Sequence, residues 1–280
     1  MLNQFLYLSG FKEKPLTELH VLEDKNSLGI KSGNLIAKIA EGDEVKQVID
    51  LRTKVFSKEY KKKILVLRSD IDEFDQFAKH LVVKNISTNK VIAGYRIIES
   101  RTLDRYYSSS EFDIRNLNIY VGNKLELSKA VVHPNFRNGK TIQVLWKGLL
   151  KYASIRNTRY LFGIPSIQTT DMSEAQEILN WFRINGHYSQ SIAETNDSFK
   201  QSGKDKLNYA AVDDVIPNLL KIYLKSGAKI ISGPAIDLQF KCTDYLMILD
   251  LFNIDAKYKN RFNPKVDLTS GIAPDQEIDL

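Results

Sequence analysis

The stretch that most constrains this chain runs from Leu125 to Leu150 and reads LELSKAVVHPNFRNGKTIQVLWKGLL. Its first part, Leu125 to Val132, is apolar and rich in β-branched residues, which predicts a strand. Strict alternation puts Glu126, Ser128 and Ala130 on one face and Leu127, Lys129 and Val131 on the other. His133 to Gly139 carries the Pro, Asn and Gly of a turn. The period then changes, because Ile142, Leu145, Trp146, Leu149 and Leu150 recur at helical spacing. A strand, a tight turn and a helix therefore follow one another, with polar residues at the join. The first amides of a helix lack intrahelical partners and attract anions. Arg137 and Lys140 add positive charge there, and Gly139 lets a bulky anion approach the backbone. Glu126, just upstream, is a candidate general base or orienting carboxylate. An ordinary β–α join has the same pattern, and GKT lacks the leading glycine and four-residue spacer of a P-loop.

Around this unit the chain reads as one large mixed fold. Gly33 to Ile39 predicts a first strand and Asp43 opens a helix with Val45, Val48, Ile49 and Phe56 on one face. Arg52 falls in that same apolar stripe. A charge buried alone is costly, so Arg52 must snorkel or meet an anion. Asp70, Asp72 and Asp75 follow; their DxDxxD spacing is not a calcium-loop pattern, and no metal is expected. Holding a substrate ammonium or pairing with Arg52 and Arg96 is the better use of them. His80–Lys84 and Val91–Ile98 form a predicted hairpin, with Gly94 and Arg96 on one face. His80 is read as a base or a satisfied histidine at a strand edge. Phe112, Ile114, Leu117, Ile119 and Tyr120 are expected to line a pocket or lid. Tyr160–Ile167 is a further strand, and a helix capped by Ser173 with Gln176 carries Ala175, Ile178, Leu179 and Phe182. Residues 186–212 are expected to be looped, Asp213 or Asp214 to cap a helix through Tyr223, and Lys229–Ile236 and Asp244–Asp250 to close the sheet. Helices alternate with hairpins, so the sheet should be mixed.

The single cysteine, Cys242, excludes an intrachain disulfide framework and fits a reducing compartment. No apolar run is long enough to span a bilayer, and the N-terminus lacks a basic start, so a cytoplasmic protein is expected. The formal charge of +6 suits nucleic acid, an anionic membrane surface or an acidic protein, without choosing among them. Lys58 and Lys61–Lys63 form a basic patch.

Several segments together resemble one family. LRTKVF (51–56), DIDEFDQFAKHLVV (70–83), VIAGYRII (91–98), ELSKAVVHPNFRNGKTIQVLWKGLLKY (126–152), YLFGIPS (160–166) and GPAIDLQFKCTDYLMILDL (233–251) are similar to the N-acyl amino acid synthases of the GNAT fold. These are the ornithine-lipid and glycine-lipid enzymes, the L-ornithine Nα-acyltransferases among them; acyl-homoserine-lactone synthases are more distant. The resemblance implies an α/β (α+β) GNAT-like acyl-CoA N-acyltransferase fold, a central mixed sheet flanked by helices. It also implies an N-terminal extension over 1–32, an acyltransferase domain over 33–252 and a polar tail over 253–280.

The roles it implies are specific. Arg52 and Phe56 would stand near the acyl-phosphopantetheine. Asp70, Asp72, Asp75, Arg96 and Lys129 would order the cleft. Glu126, with Ser128 beside it, would be catalytic. Arg137, Asn138, Gly139 and Lys140 would form the phosphopantetheine- or pyrophosphate-binding turn. One departure is ELSK where the family commonly has ELSR: Lys129 keeps the charge and loses the planar fork. LFGIPS departs too, where relatives often have a Cys or other small residue after the Gly.

The implied reaction moves a 3-hydroxyacyl or acyl group from the thioester of acyl carrier protein to the α-amine of an amino acid such as ornithine or glycine. Glu126 would take the ammonium proton and splayed-strand amides would hold the oxyanion. No tightly bound cofactor is implied; acyl-ACP or acyl-CoA is the co-substrate. The partners would be acyl carrier protein, steered by basic residues, and transiently the inner membrane surface, with no nucleic acid. Ornithine would want extra carboxylates for its side-chain ammonium. The alternatives are a CoA-dependent GNAT enzyme acting on another small amine or protein, an acyl-homoserine-lactone-type signal synthase, and a non-enzymatic basic binding module.

Overall fold

The computed structural model describes residues 29–59, 70–99 and 105–258, and the backbone of 19–21. The apolar Phe5–Leu8 and the basic Lys61–Lys63 lie outside the described residues. Three strands come first, β1 (Leu19–Val21), β2 (Ile30–Ser32) and β3 (Leu35–Ile39), followed by helix α1 (Asp43–Glu59). Then come β4 (Lys79–Asn85), β5 (Lys90–Ile98), β6 (Phe112–Asp113), β7 (Asn123–Val132) and α2 (Lys140–Ile155). The second half contains β8 (Thr158–Gly163), β9 (Ser166–Ile167), α3 (Met172–Ile184), β10 (Tyr188–Thr195), α4 (Val212–Val215), α5 (Asn218–Lys225), β11 (Lys229–Asp237) and β12 (Cys242–Asp250).

The strands form one mixed sheet in the order β1-β2-β3-β4-β5-β7-β8-β12-β11-β10-β6, with β9 paired to β12 beside that path. The β7–β8 and β10–β11 pairs are parallel; their neighbours are antiparallel. Acidic Asp43 and Glu44 sit in the first turn of α1 and Lys58 in its last, each favourable to the helix dipole. The buried face of α1 packs with Val82, Val91 and Val131. The opposite sheet face carries Leu81, Val83 and the apolar side of α2, in the same cluster as α3 and α5. Alternation along β4 feeds both layers, because Val82 goes to one and its neighbours to the other.

Two glycines let the helices come close. A Cβ on Gly94 would lie 2.6 Å from Val48 of α1, and one on Gly148 would lie 2.7 Å from the Ala37 Cβ of β3. Tyr95 and Tyr223 then join hydroxyls at 2.6 Å, tying α5 to the middle of the sheet.

Several expectations change. The β2–β3 hairpin straddles residue 33, which was expected to begin the domain. Residues 186–212 are not all loop, since β10 pairs in parallel with β11. The α3 cap is Asp171, whose side chain accepts from Glu174 N, rather than Ser173. The helix expected after Asp213 is two pieces, because Pro217 adopts an extended conformation and starts α5 afresh. Phe112, Ile114 and Leu117 are buried in a closed second cluster with Tyr106, Phe162 and Leu246, while Ile119 is exposed. These residues are packed against each other and do not line an open channel.

Gly148→Val is expected to push α2 off β3 and to cost about 1–3 kcal/mol of stability by overpacking. Urea unfolding of the variant beside the parent measures it.

Candidate active site

Alternation along β7 breaks at Lys129. Gly94 pairs with Val131 while Arg96 pairs with Ser128, so two residues of β7 oppose Tyr95 alone. Lys129 takes the left-handed conformation there, φ +53°. This is a β-bulge, which turns the strand and re-aims its side chains. Before it, Leu125 and Leu127 face the α2 layer; after it, Ala130 and Val132 do, with Val131 on the α1 side. Ala130 therefore does not share the face of Glu126 and Ser128, as strict period-two reading expected.

The bulge sends Lys129 into a buried ion network. The acids of that network come from a short turn, Glu73–Gln76, whose cap is built from DxDxxD itself. Asp72 accepts from Phe74 N at 3.0 Å, and Asp75 accepts from Asp72 N at 3.1 Å. Arg52, fully buried on the apolar face of α1, donates Nε to Asp70 at 2.9 Å and both terminal nitrogens to Asp75 at 2.9 Å. Arg96 donates Nε to Ser128 Oγ at 2.8 Å, bonds Asp72 and lies 3.4 Å from Asp75. Lys129 Nζ meets Asp70 at 2.9 Å. Three cations thus face three carboxylates, and Tyr107 lays its ring 5.1 Å from the Arg96 guanidinium.

The electrostatics follow. Burial alone would raise the Asp75 carboxyl, but the hydrogen bond and charge of Arg52, joined by Arg96, hold it down at about 2. His80, 3.6 Å from Asp75, is lowered to about 4, first by burial and then by the Arg52 charge. It is neutral at ordinary pH. Arg52 therefore does not snorkel, and the three acids are satisfied by the protein's own cations.

Glu126 is placed differently from its expected role. It is fully buried, accepts from the amides of Tyr107 and Ser108 at 2.6 Å each, and is bonded by the Ser108 hydroxyl. Burial raises its pKa against the pull of those donors. With its acceptor sites occupied and its surface sealed, the carboxylate is an anchor for the Tyr107–Ser108 turn in this geometry, not an accessible general base. Ser128 is equally enclosed as the acceptor for Arg96.

Glu126 nonetheless marks a junction. It forms the last β7–β8 pair, with Phe162; beyond it β9 pairs with β12 instead, so β7 and the chain after β8 part. A cavity of about 560 Å³ is lined by Glu59, Arg137, Gln168, Tyr209, Pro217 and Lys221 among others. Of the four residues expected at the phosphate turn, Arg137 reaches this cavity, and it is already bonded to Glu59 and to the Val132 carbonyl. Asn138 caps the Lys140 amide at 3.2 Å, Gly139 starts α2 at φ +81°, and Lys140 is exposed. Phe56 is packed in the apolar cluster under α1.

A second group of acids escaped the sequence reading. Glu111, Asp237 and Asp244 are buried with Cys242 and Ser166 on the Glu126 side of the sheet. One signal for it was present, since Asp244 interrupts the apolar run of β12; the register that puts Asp237 opposite Cys242 is seen in the structure alone.

The fold is that of the GNAT acyltransferases, and the chain is an N-acyltransferase. Residues 51–147 match the model described as "Acetyltransferase (GNAT) domain". The L-ornithine N(alpha)-acyltransferase of Rhodobacter capsulatus is 28% identical over 71% of this chain and 82% of its own length. That of Agrobacterium fabrum is 26% identical over 89% and 92%. Among solved structures, a CoA-dependent acyl-homoserine lactone synthase, BjaI, aligns over 80% of this chain and 84% of its own, with a TM-score of 0.44 and 12% identity. FeeM, an N-acyl amino acid synthase from uncultured soil microbes, aligns over 77% and 91%, with a TM-score of 0.40 and 13% identity.

His80 supplies a pH test. Its folded-state pKa lies below the value of 6.5 it has when free, so between these the unfolded state binds more protons and stability rises with pH. The contribution is complete above the unfolded pKa and is lost as pH falls from there through about 4. In His80→Gln the stability difference from the parent should shrink by about 3 kcal/mol across that window. Urea unfolding at a series of pH values measures the difference curve.

Proposed function

We propose that this chain transfers an acyl or 3-hydroxyacyl group from an acyl carrier protein thioester to the α-amine of L-ornithine. The observation that carries this reading is the extent of likeness to the ornithine enzymes, which spans the strands and helices around the β7–β8 junction. The unprotonated amine attacks the thioester carbonyl; a C–N bond forms, the C–S bond breaks, and the thiol leaves with the amine's proton. Strand amides of β7 beyond Glu126, released from pairing with β8, are suited to the peptide-like phosphopantetheine arm and to the oxyanion.

In this reading Arg52, Asp70, Asp72, Asp75, Arg96 and Lys129 hold the floor of the cleft rigid, and Glu126 and Ser128 are positioning residues. The 560 Å³ cavity beside Arg137 and Lys221 receives the anionic end of the donor. The net charge of +6 suits an acidic carrier protein and the polyanionic CoA alike. The catalytic unit is one domain that takes in the β2–β3 hairpin ahead of residue 33. We place it in the cytoplasm, visiting the inner membrane surface to release an amphiphile. No helix among the described residues is long and apolar enough to cross a membrane.

Purified protein given L-ornithine and either acyl-ACP or acyl-CoA should form Nα-acyl ornithine, faster with the carrier, as read by mass spectrometry. Absence of any N-acyl product with both donors would sink the reading. Glu126→Gln should lower kcat by about 10²-fold with KM little changed, because the Tyr107–Ser108 turn loses its anion.

A further inference from the structure

The cavity of about 560 Å³ has two kinds of lining. Arg137 and Lys221 bring positive charge to it, and Leu207, Tyr209, Val215 and Ile216 give it an apolar side. Part of that apolar side stands on a stretch of chain that needs outside support, since residues 200–211 are neither helix nor strand.

The support comes from the neighbouring chain and from α3. Gly203 N donates to the Thr170 carbonyl at 2.7 Å, and Thr170 N donates to the Asp205 carbonyl at 2.9 Å. The approach is tight, because a Cβ on Gly203 would lie 2.3 Å from Thr170 Oγ1. Further along, two glutamates of α3 hold the segment. Glu174 accepts from the Leu207 amide at 2.9 Å through one oxygen and at 3.2 Å through the other, and it takes the Thr169 hydroxyl at 2.6 Å as well. Glu177 accepts from the Tyr209 hydroxyl at 2.7 Å. Burial first, and the bond to Glu177 after it, push the Tyr209 hydroxyl up to about 12, so it stays protonated and keeps donating. Glu174 and Glu177 are three residues apart, on one face of α3, so one rigid helix holds the segment at two points. Leu207 and Tyr209 meanwhile pack against the core cluster that includes α2, α3 and α5.

This arrangement suits an anion carried on an aliphatic arm. A donor thioester, on a carrier or on CoA, sits at the end of an aliphatic, amide-bearing arm joined to a phosphate. The cations meet the phosphate and the apolar side meets the arm next to it. Such a surface helps binding most when it is already in place, because ordering a loop on binding subtracts from affinity. We propose that Glu174 is a positioning residue for the acyl donor: through the Leu207 amide it holds Leu207–Tyr209 as the wall against which the donor's arm lies, with the Tyr209–Glu177 bond as a second tie. The inference rests on the assignment of this cavity to the donor above. Glu174 is not itself among the residues that line the cavity, so its loss acts on donor binding through the wall and not on the chemical step.

The test uses the donor that the parent turns over faster, with the amino acid saturating. Glu174→Ala should raise the KM for the donor about tenfold, and change kcat and the KM for the amino acid by less than about twofold. Glu174→Gln keeps an acceptor for the Leu207 amide and should return the donor KM to within about threefold of the parent. Tyr209→Phe keeps the ring, loses the second tie and should raise the donor KM about threefold. Binding of CoA and of acyl-free carrier protein, read by calorimetry, should weaken by the same factors. Melting temperatures report whether the variants fold, and Tyr209→Phe carries the test if Glu174→Ala does not. The inference is overturned if the donor KM is unchanged in the folded variants, if the increase falls on the amino acid instead, if kcat alone drops, or if glutamine at position 174 restores nothing. A parent that acylates no amine removes the ornithine reading, and the calorimetry then still decides on the wall. A parent that binds neither CoA nor the carrier overturns this inference too.

Discussion

One extra residue in β7 governs how this site is assembled. A regular strand would send Lys129 to the side of Leu127, into apolar packing where an ammonium has no partner. The bulge opposite Tyr95 rotates it toward Asp70 and restores alternation on the far side with the opposite parity. Val131 can then serve the α1 layer and Ala130 and Val132 the α2 layer. A left-handed non-glycine residue is a local cost, and the ion pair with Asp70 is what the structure sets against it.

That ion pair belongs to a network that stabilises geometry more than it adds net stability. Desolvating six charged groups is expensive, and a buried pair often does no better than well-packed apolar side chains. What such a network does is punish rearrangement, since displacing any one partner leaves another buried and unpaired. Arg52 illustrates this, because its three nitrogens are distributed over Asp70 and Asp75 and have no slack. The floor beneath Tyr107 is accordingly rigid, and Tyr107 in turn is positioned by its amide on Glu126. Glu126 thus passes the order of the network upward to the turn that covers the junction.

The sequence carried much of this in its periodicities. The helix face of α1 named Arg52 as a misfit in need of an anion, and pairing with it was one of the two uses read for the DxDxxD acids, the one the structure shows. The β4–β5 hairpin and the strand–turn–α2 unit were legible for the same reason, because each is set by local pattern and turn chemistry. What periodicity could not show was where the pattern breaks. A bulge shifts the parity of a strand without any glycine to announce it, which is why Ala130 was assigned to the wrong face. Accessibility was equally hidden: Glu126 is sealed by residues 107 and 108, whose approach depends on a long connection and not on strand spacing. Parallel pairing explains the missed β10, since its partner β11 lies more than thirty residues on and α3 and β10 are separated by too little chain to flag a strand.

Charge balance finally separates the two acidic groups in a way that position alone does not. Both are buried, both lie against the Tyr107 turn, and both bring carboxylates within a few ångströms of each other. In one, arginines and a lysine from three separate elements complete the set, so the protein itself supplies every counter-charge. In the other, the surrounding strands contribute only a thiol and a hydroxyl. Burial, and the neighbouring acids with it, raises Glu111 to about 7 and Asp244 well up, so this group is settled by holding protons where the first is settled by cations.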